Sequence, residues 1–166
     1  MQITTRRYGP VETIEVTAAQ IYEFSPGLVG FAEHQRYALI PDADSPIEWL
    51  QSLDDPAVTF AVVEPFLFAP SYAFELGDAD AGALGLGRAE DATVRCLLTI
   101  RAQAAAITAN LMAPIVLNTR ARRGRQIVLQ DSVWPLRFPV LDGIESLDGE
   151  AAPQEAGPSE HRAHAA

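Results

Sequence analysis

Apolar residues along this chain recur in short runs, mostly with period two, and Gly, Pro or acidic segments separate the runs. Gln2–Tyr8 and Val11–Val16 flank Gly9-Pro10, a strong turn signal. In the second run Val11, Thr13 and Glu15 alternate with Glu12, Ile14 and Val16. Ile21–Phe24 is a short strand ended by Ser25-Pro26-Gly27. Pro26–Phe31, PGLVGF, reads as a buried loop whose glycines permit unusual dihedrals or close backbone approach. Arg36–Ile40 is the next strand. Ile47–Leu53 and the β-prone Ala57–Val63 then pair about the turn Asp54-Asp55-Pro56, with Val58, Phe60 and Val62 on one face. Tyr72–Leu76 is a further short strand.

Asp78–Leu84 is the one clear helix candidate, with Asp78 as its N-cap. Thr93–Arg101 has the strongest strand pattern, placing Val94, Cys96, Leu98 and Ile100 opposite Arg95, Leu97 and Thr99. Gln103–Ile107 is alanine-rich and fits helix or strand. Asn110 and Asn118 bracket the run Pro114–Leu117, which pairs with Ile127–Leu129 as a hairpin; the polar connection holds Arg120, Arg122, Arg123, Gly124 and Arg125. Trp134–Leu141, with Pro135 and Pro139, completes the patterned region. At least eight short strands and little helix predict a mainly β fold, a small barrel-like single domain over residues 1–141.

From Asp142 the chain turns to Asp, Glu, Ala, Pro and Gly. Residues 142–166 bury too little to offset their ordering entropy and are expected to form a disordered acidic tail. The 166 residues suit one domain that buries roughly two-thirds of its unfolded surface. No apolar run approaches the ~20 residues of a membrane span, and no apolar stretch follows Arg6-Arg7, so neither a membrane anchor nor a signal peptide is expected. The single cysteine, Cys96, excludes an intramolecular disulfide and fits a cytoplasmic protein.

The net charge is −10 and unevenly spread. Residues 142–166 hold six acids and one arginine, and Tyr37–Gly87 holds nine acids and no Lys or Arg. The second stretch reads as a solvated face, or as a surface that attracts a basic partner and repels nucleic acid. Four arginines between Arg120 and Arg125 raise the question of phosphate binding. The acidic body and the lack of interleaved aromatics oppose direct nucleic-acid binding. A charged turn that blocks edge-to-edge pairing explains the arginines equally well.

Catalytic chemistry finds few parts. His161 and His164 lie in the tail, and His34, beside Glu33 and Gln35, reads as a surface residue. Cys96 reads as a small core residue rather than a nucleophile. No Cys/His spacing suits a metal, and Gly82, Gly85 and Gly87 do not make a phosphate loop. Asp54-Asp55 and Asp78 with Asp80 are adjacent acids of the kind that cap or solvate turns. A non-enzyme without cofactor or metal is expected.

Several motifs in order then carry a resemblance: Tyr8-Gly9 with Val11-Glu12; Pro26–Phe31; Leu50-Gln51-Ser52 with Asp55, Phe60 and Pro65; and Thr108–Asn118 with Gln126 and Leu129. Over about Met1–Leu141 the chain resembles the FliW family of bacterial flagellar assembly factors. The resemblance implies a barrel-like β fold without catalysis, probing the cytoplasm for two partners. Those partners are newly made flagellin and the RNA-binding translational regulator CsrA, which is released to repress flagellin mRNA when flagellin occupies FliW. The acidic tail is an addition to the family pattern. On this reading Asp54, Asp55 and Glu64 attract the basic CsrA. An apolar groove takes an amphipathic flagellin segment, with Phe66, Phe68, Leu111, Met112 and Ile115 as candidate lining. Asn110 and Asn118 join Phe68, Leu111 and Met112 as partner-contact candidates. Core packing is the alternative for the apolar residues, and a self-bonded turn the alternative for Asn110. The free protein is expected to be a monomer.

Overall fold

The computed structural model describes residues 1–101 and 106–140. The tail expected to be disordered, and most of the undecided Gln103–Ile107, lie outside the described residues. The strands are β1 (Gln2–Thr5), β2 (Glu12–Glu15), β3 (Ile21–Phe24), β4 (Arg36–Pro41), β5 (Glu48–Ser52), β6 (Thr59–Val63), β7 (Ala92–Arg101), β8 (Ala106–Ala109), β9 (Ile115–Asn118), β10 (Arg123–Gln126) and β11 (Phe138–Pro139). One α-helix, α1 (Asp78–Leu84), lies between β6 and β7.

β3 to β7 form an antiparallel meander. β9 pairs with the first half of β7, from Ala92 opposite Asn118 to Arg95 opposite Ile115. β10 pairs with β9 and then, in parallel, with β3. That last seam closes a barrel of seven strands, β7-β6-β5-β4-β3-β10-β9. The second half of β7 runs on past the barrel and pairs with β8, which pairs with β11. β1 and β2 form a separate hairpin.

Two apolar clusters divide the faces. Tyr22, Phe24, Leu28, Tyr37, Leu50, Phe60, Val62, Leu97, Ile115 and Leu117 pack together inside the barrel. Ala38, Ile40, Trp49, Ala61, Val63, Cys96, Leu98 and Ile100 form the opposite face, covered by Ile3 and Val16 of the hairpin and by Phe68, Ala69 and Tyr72. β6 is therefore buried on both sides at every position, and its continuous apolar run TFAVV is what such a strand requires. Glu48 and Arg95 share the inner face by register and form an ion pair at one end of the barrel.

Closure depends on Gly124. It stands opposite Phe24 across the parallel seam, and a Cβ there would lie 2.3 Å from the Phe24 ring. The missing side chain lets Phe24 fill the barrel beneath the strand.

Several expectations need correction. The second strand of the hairpin is Arg123–Gln126, not Ile127–Leu129. Arg123 and Arg125 are thus strand residues, and the tight turn is confined to Thr119–Arg122, with Arg122 at φ 59°. β10 could not be read from apolar periodicity because Arg123 and Arg125 face outward and its inward position is a glycine. Tyr72–Leu76 is not a strand. Asp78 is the first residue of α1 rather than its cap, Gly77 being the N-cap. Pro26–Phe31 is only partly buried: Leu28 is enclosed, while Val29 and Gly30 are exposed. Gly27 has no room for a Cβ, which would lie 2.4 Å from the carbonyl oxygens of Phe31 and His34.

Candidate functional site

Among the described residues, a groove lies between the barrel and α1. β7 and β9 supply its floor through Ala92, Val94 and Val116. Phe66, Tyr72, Phe74 and Leu76 form one wall, with Ala81 and Leu86 at the helix side and Arg88 at the rim. The groove encloses about 510 Å³ and is mostly apolar. Phe66 remains 40% exposed, so a large aromatic face is left open to solvent.

Both walls are fastened to the barrel. The last turn of α1 is held by Asn118, whose Nδ2 donates to the Leu84 carbonyl at 2.8 Å. Its first turn is held by Asp80, paired with Arg125 of β10 at 2.7 Å. The helix stops at Gly85, which takes φ +70° and donates back to Gly82, the left-handed ending for which glycine is suited. On the other wall the Tyr72 hydroxyl donates to the Leu111 carbonyl at 2.8 Å. Trp134 stands edge-on to the Tyr72 ring, 5.0 Å between centroids, and its Nε1 donates to the Ala73 carbonyl.

The expected contact residues distribute unevenly. Phe68 is buried against Phe138, and Leu111 and Ile115 are buried in the two cores. Met112 is half-buried. Phe66 alone of the five apolar candidates lines the groove. Asn110 and Asn118 are buried and build matching turns at the two ends of β9. Asn110 Oδ1 accepts from the Met112 and Ala113 N–H groups, both at 3.0 Å, and Asn118 Oδ1 accepts from Arg120 and Ala121. The self-bonded turn is therefore what Asn110 makes.

The acids do not gather on one face. Asp54 and Asp55 occupy the β5–β6 turn, and Glu64 follows the far end of β6, about 17 Å away at ~3.3 Å per residue. Ser52 Oγ accepts from the N–H groups of Asp54 and Asp55, and Asp55 Oδ1 accepts from Ala57. Asp54 and Glu64 are exposed and Asp55 half-buried. Glu48 and Asp80 are neutralised by Arg95 and Arg125.

The chemistry-bearing groups are embedded. The Cys96 thiol is fully buried, and burial pushes its pKa up. His34 is half-buried rather than a free surface residue, its Nδ1 3.0 Å from Ser52 Oγ and its ring edge-on to Phe31. Among the described residues no three His, Cys, Asp or Glu side chains are grouped to hold a metal, and no helix is long and apolar enough to cross a membrane.

A family model described as FliW protein matches residues 2–140. The chain belongs to the FliW family. It is 39% identical over 150 residues to the flagellar assembly factor FliW of Syntrophus aciditrophicus (strain SB), covering 90% of this chain and 93% of that protein. It is also 39% identical to its counterpart in Bdellovibrio bacteriovorus, over 87% of this chain and 82% of the relative. A crystal structure of the flagellar assembly factor FliW superposes with a TM-score of 0.77 at 31% identity, covering 84% of this chain and 96% of that one. The FliW match ends one residue after β11, so the groove and its fastenings lie wholly inside the family region.

The sequence reading missed Phe74, Leu76, Leu86, Val94 and Val116 as groove residues. A signal existed: Tyr72, Phe74 and Leu76 are spaced two apart and all three line the groove. The alternation was genuine, but the segment pairs with no strand.

Proposed function

We propose that this member of the FliW family is a cytoplasmic binding protein without catalytic activity that holds flagellin in the apolar groove beside α1. The observation that carries the reading is the open aromatic wall at Phe66 over an apolar floor of Val94 and Val116. A flagellin segment that is amphipathic and helical before assembly has a row of apolar side chains to cover, and a groove of this kind is the standard receptor for one. The second partner in this reading is CsrA, a basic RNA-binding regulator. Asp54 and Asp55 of the β5–β6 turn, and Glu64 at the far end of β6, would steer it through their negative charge. Exchange of CsrA for flagellin would then tie flagellin translation to flagellin supply.

Calorimetric titration of the full chain with flagellin monomer of its own species tests the groove. Phe66→Asp and Leu86→Asp should each weaken binding at least about tenfold, roughly the 1.4 kcal/mol expected for losing part of an apolar anchor. Unchanged affinity in both, with native near-ultraviolet circular dichroism, would move flagellin off this site. CsrA titration of Asp54→Lys with Glu64→Lys tests the acids. Affinity that neither falls nor loses salt dependence would remove them from the interface. Flagellin binding that leaves CsrA bound would reduce the function to a flagellin chaperone.

A further inference from the structure

The apolar groove beside α1 has an acidic rim. Its walls come from Phe66–Ala92, a stretch with five acids, Glu75, Asp78, Asp80, Glu90 and Asp91, and one cation, Arg88. Three of these acids face arginines. Asp80 pairs with Arg125, and Arg88 lies 3.8 Å from both Glu90 and Asp91. One guanidinium between two carboxylates leaves that part of the rim negative. Glu75 and Asp78 are exposed and, among the described residues, take part in no ion pair. No other cation offsets them: Arg95, beside the floor residue Val94, is paired with Glu48, and Arg123 reaches α1 only at the Ala83 carbonyl.

Both free acids are close to the apolar surface. Glu75 lies between the lining residues Phe74 and Leu76, and Asp78 follows Leu76 by two positions at the start of α1. Two positions span at most roughly 7 Å, which is within the ~8 Å Debye length of physiological salt. We infer that the segment held in this groove carries lysine or arginine along one flank of its apolar stripe. That flank lies on Glu75 and Asp78, where the aromatic wall passes into α1. The inference rests on the reading of the groove as a receptor for an amphipathic helix and adds the charge that the helix must bear.

The division of labour follows from the helix itself. Its apolar stripe covers Phe66, Val94 and Val116, and the polar residues flanking that stripe fall on the rim. Lysine and arginine suit such a flank, because their stems cover apolar surface while their charged heads reach outward to the carboxylates. A flank of acids would meet like charge there, which is how a surface of one sign rejects the wrong partner. The same rim disfavours other occupants. A second copy of this chain brings a net charge of −10, and an anionic lipid surface or a nucleic acid is repelled in the same way. The rim pairs are exposed, so salt screens them.

The test uses the full chain and two synthetic amphipathic helical peptides that share one leucine stripe, flanked by lysine in one and by glutamate in the other. At about 0.1 M salt, where the Debye length is ~10 Å, the lysine peptide should bind at least about tenfold more tightly. At about 1 M, where it is ~3 Å, the two affinities should converge. Glu75→Lys with Asp78→Asn should remove the preference at the lower salt. Glu33→Lys with Asp54→Lys changes the net charge more and should leave the preference in place. Phe66→Asp should abolish binding of both peptides, with native near-ultraviolet circular dichroism in every variant. Equal affinities, a glutamate preference or no binding of either peptide would overturn the inference. So would a lysine preference that survives Glu75→Lys with Asp78→Asn, or peptide binding that survives Phe66→Asp. If the peptides behave as expected but Phe66→Asp leaves flagellin binding unchanged, flagellin is not the guest, and the groove's demand for a cationic flank stands.

Discussion

The Tyr72 hydroxyl donates to the main-chain carbonyl of Leu111 at 2.8 Å, joining two residues 39 positions apart. Leu111 also donates its own N–H to Pro135, so one residue ties the groove wall to the β8–β9 connection and to the segment before β11. Tyr72→Phe leaves a buried carbonyl without this donor. An unfolding free energy lower by about 1 kcal/mol is expected, read as a lower urea midpoint at unchanged slope. A midpoint equal to that of the parent chain would show the bond to be energetically idle.

The two asparagines that flank β9 should differ in cost. Asn110 uses only its carbonyl oxygen, since its buried amide nitrogen has no partner. Asn118 uses both ends, its nitrogen holding Leu84. Asn110→Ala should cost about 1 kcal/mol and Asn118→Ala about 2 kcal/mol or more. Amide exchange at Gly82–Leu86 should accelerate in Asn118→Ala alone. Equal acceleration in both variants would mean that α1 is held by its other contacts.

Gly124→Ala places a methyl group where the Phe24 ring already stands. Overpacking of this kind costs roughly 1–3 kcal/mol, and the upper end is expected because both backbones are fixed by the parallel seam. Phe24→Leu costs stability alone, yet should partly rescue Gly124→Ala. A double-mutant cycle that comes out additive would show that the two residues do not share the space.

Alkaline pH should destabilise the protein in stages. Burial raises the pKa of the Cys96 thiol and of the Tyr37 and Tyr72 hydroxyls, with Asp54 and Glu33 adding to the effect at Tyr37. In the unfolded chain a thiol ionises near ~8.5 and a phenol near ~10. Above those values the unfolded chain has released protons that the folded chain keeps, so stability falls as pH rises and is complete below about pH 8.5. The slope is roughly 1.4 kcal/mol per pH unit for each group past its unfolded value. Cys96→Ala should delay the onset towards pH 10 in urea unfolding followed from pH 7 to 11. An onset that stays near 8.5 would assign it to another group.

Where burial was one-sided or complete, the chain could be read directly. β1 and β2 were placed by Gly9-Pro10, and β6 and β7 by their apolar runs. β10 was missed because its sequence, RGRQ, has a glycine where an apolar residue would normally face inward; the hydrophobic group that fills the space is Phe24, a hundred positions earlier. The apolar candidates for the groove divide for a related reason. Phe66 and Phe68 are two apart in one aromatic segment, but the short 3₁₀ turn at Pro65–Leu67 sends Phe68 into the core and leaves Phe66 outside. Periodicity cannot resolve that turn. The acidic stretch was visible as composition, but the strands that carry it run in opposite directions and deliver its charges to opposite ends of β6.

The parallel seam between β3 and β10 also sets an order in time. A ribosome making this chain delivers β3 to β7 first, and they pair with one another as an open sheet. β3 keeps a bare edge until Arg123 and Gly124 have been made, about a hundred residues later. Closure therefore waits on one of the longest-range contacts in the chain, the kind of pairing that slows folding. Until then the inner faces of Phe24, Tyr37 and Phe60 are open, so the interval before β10 emerges is when this protein is itself most in need of protection.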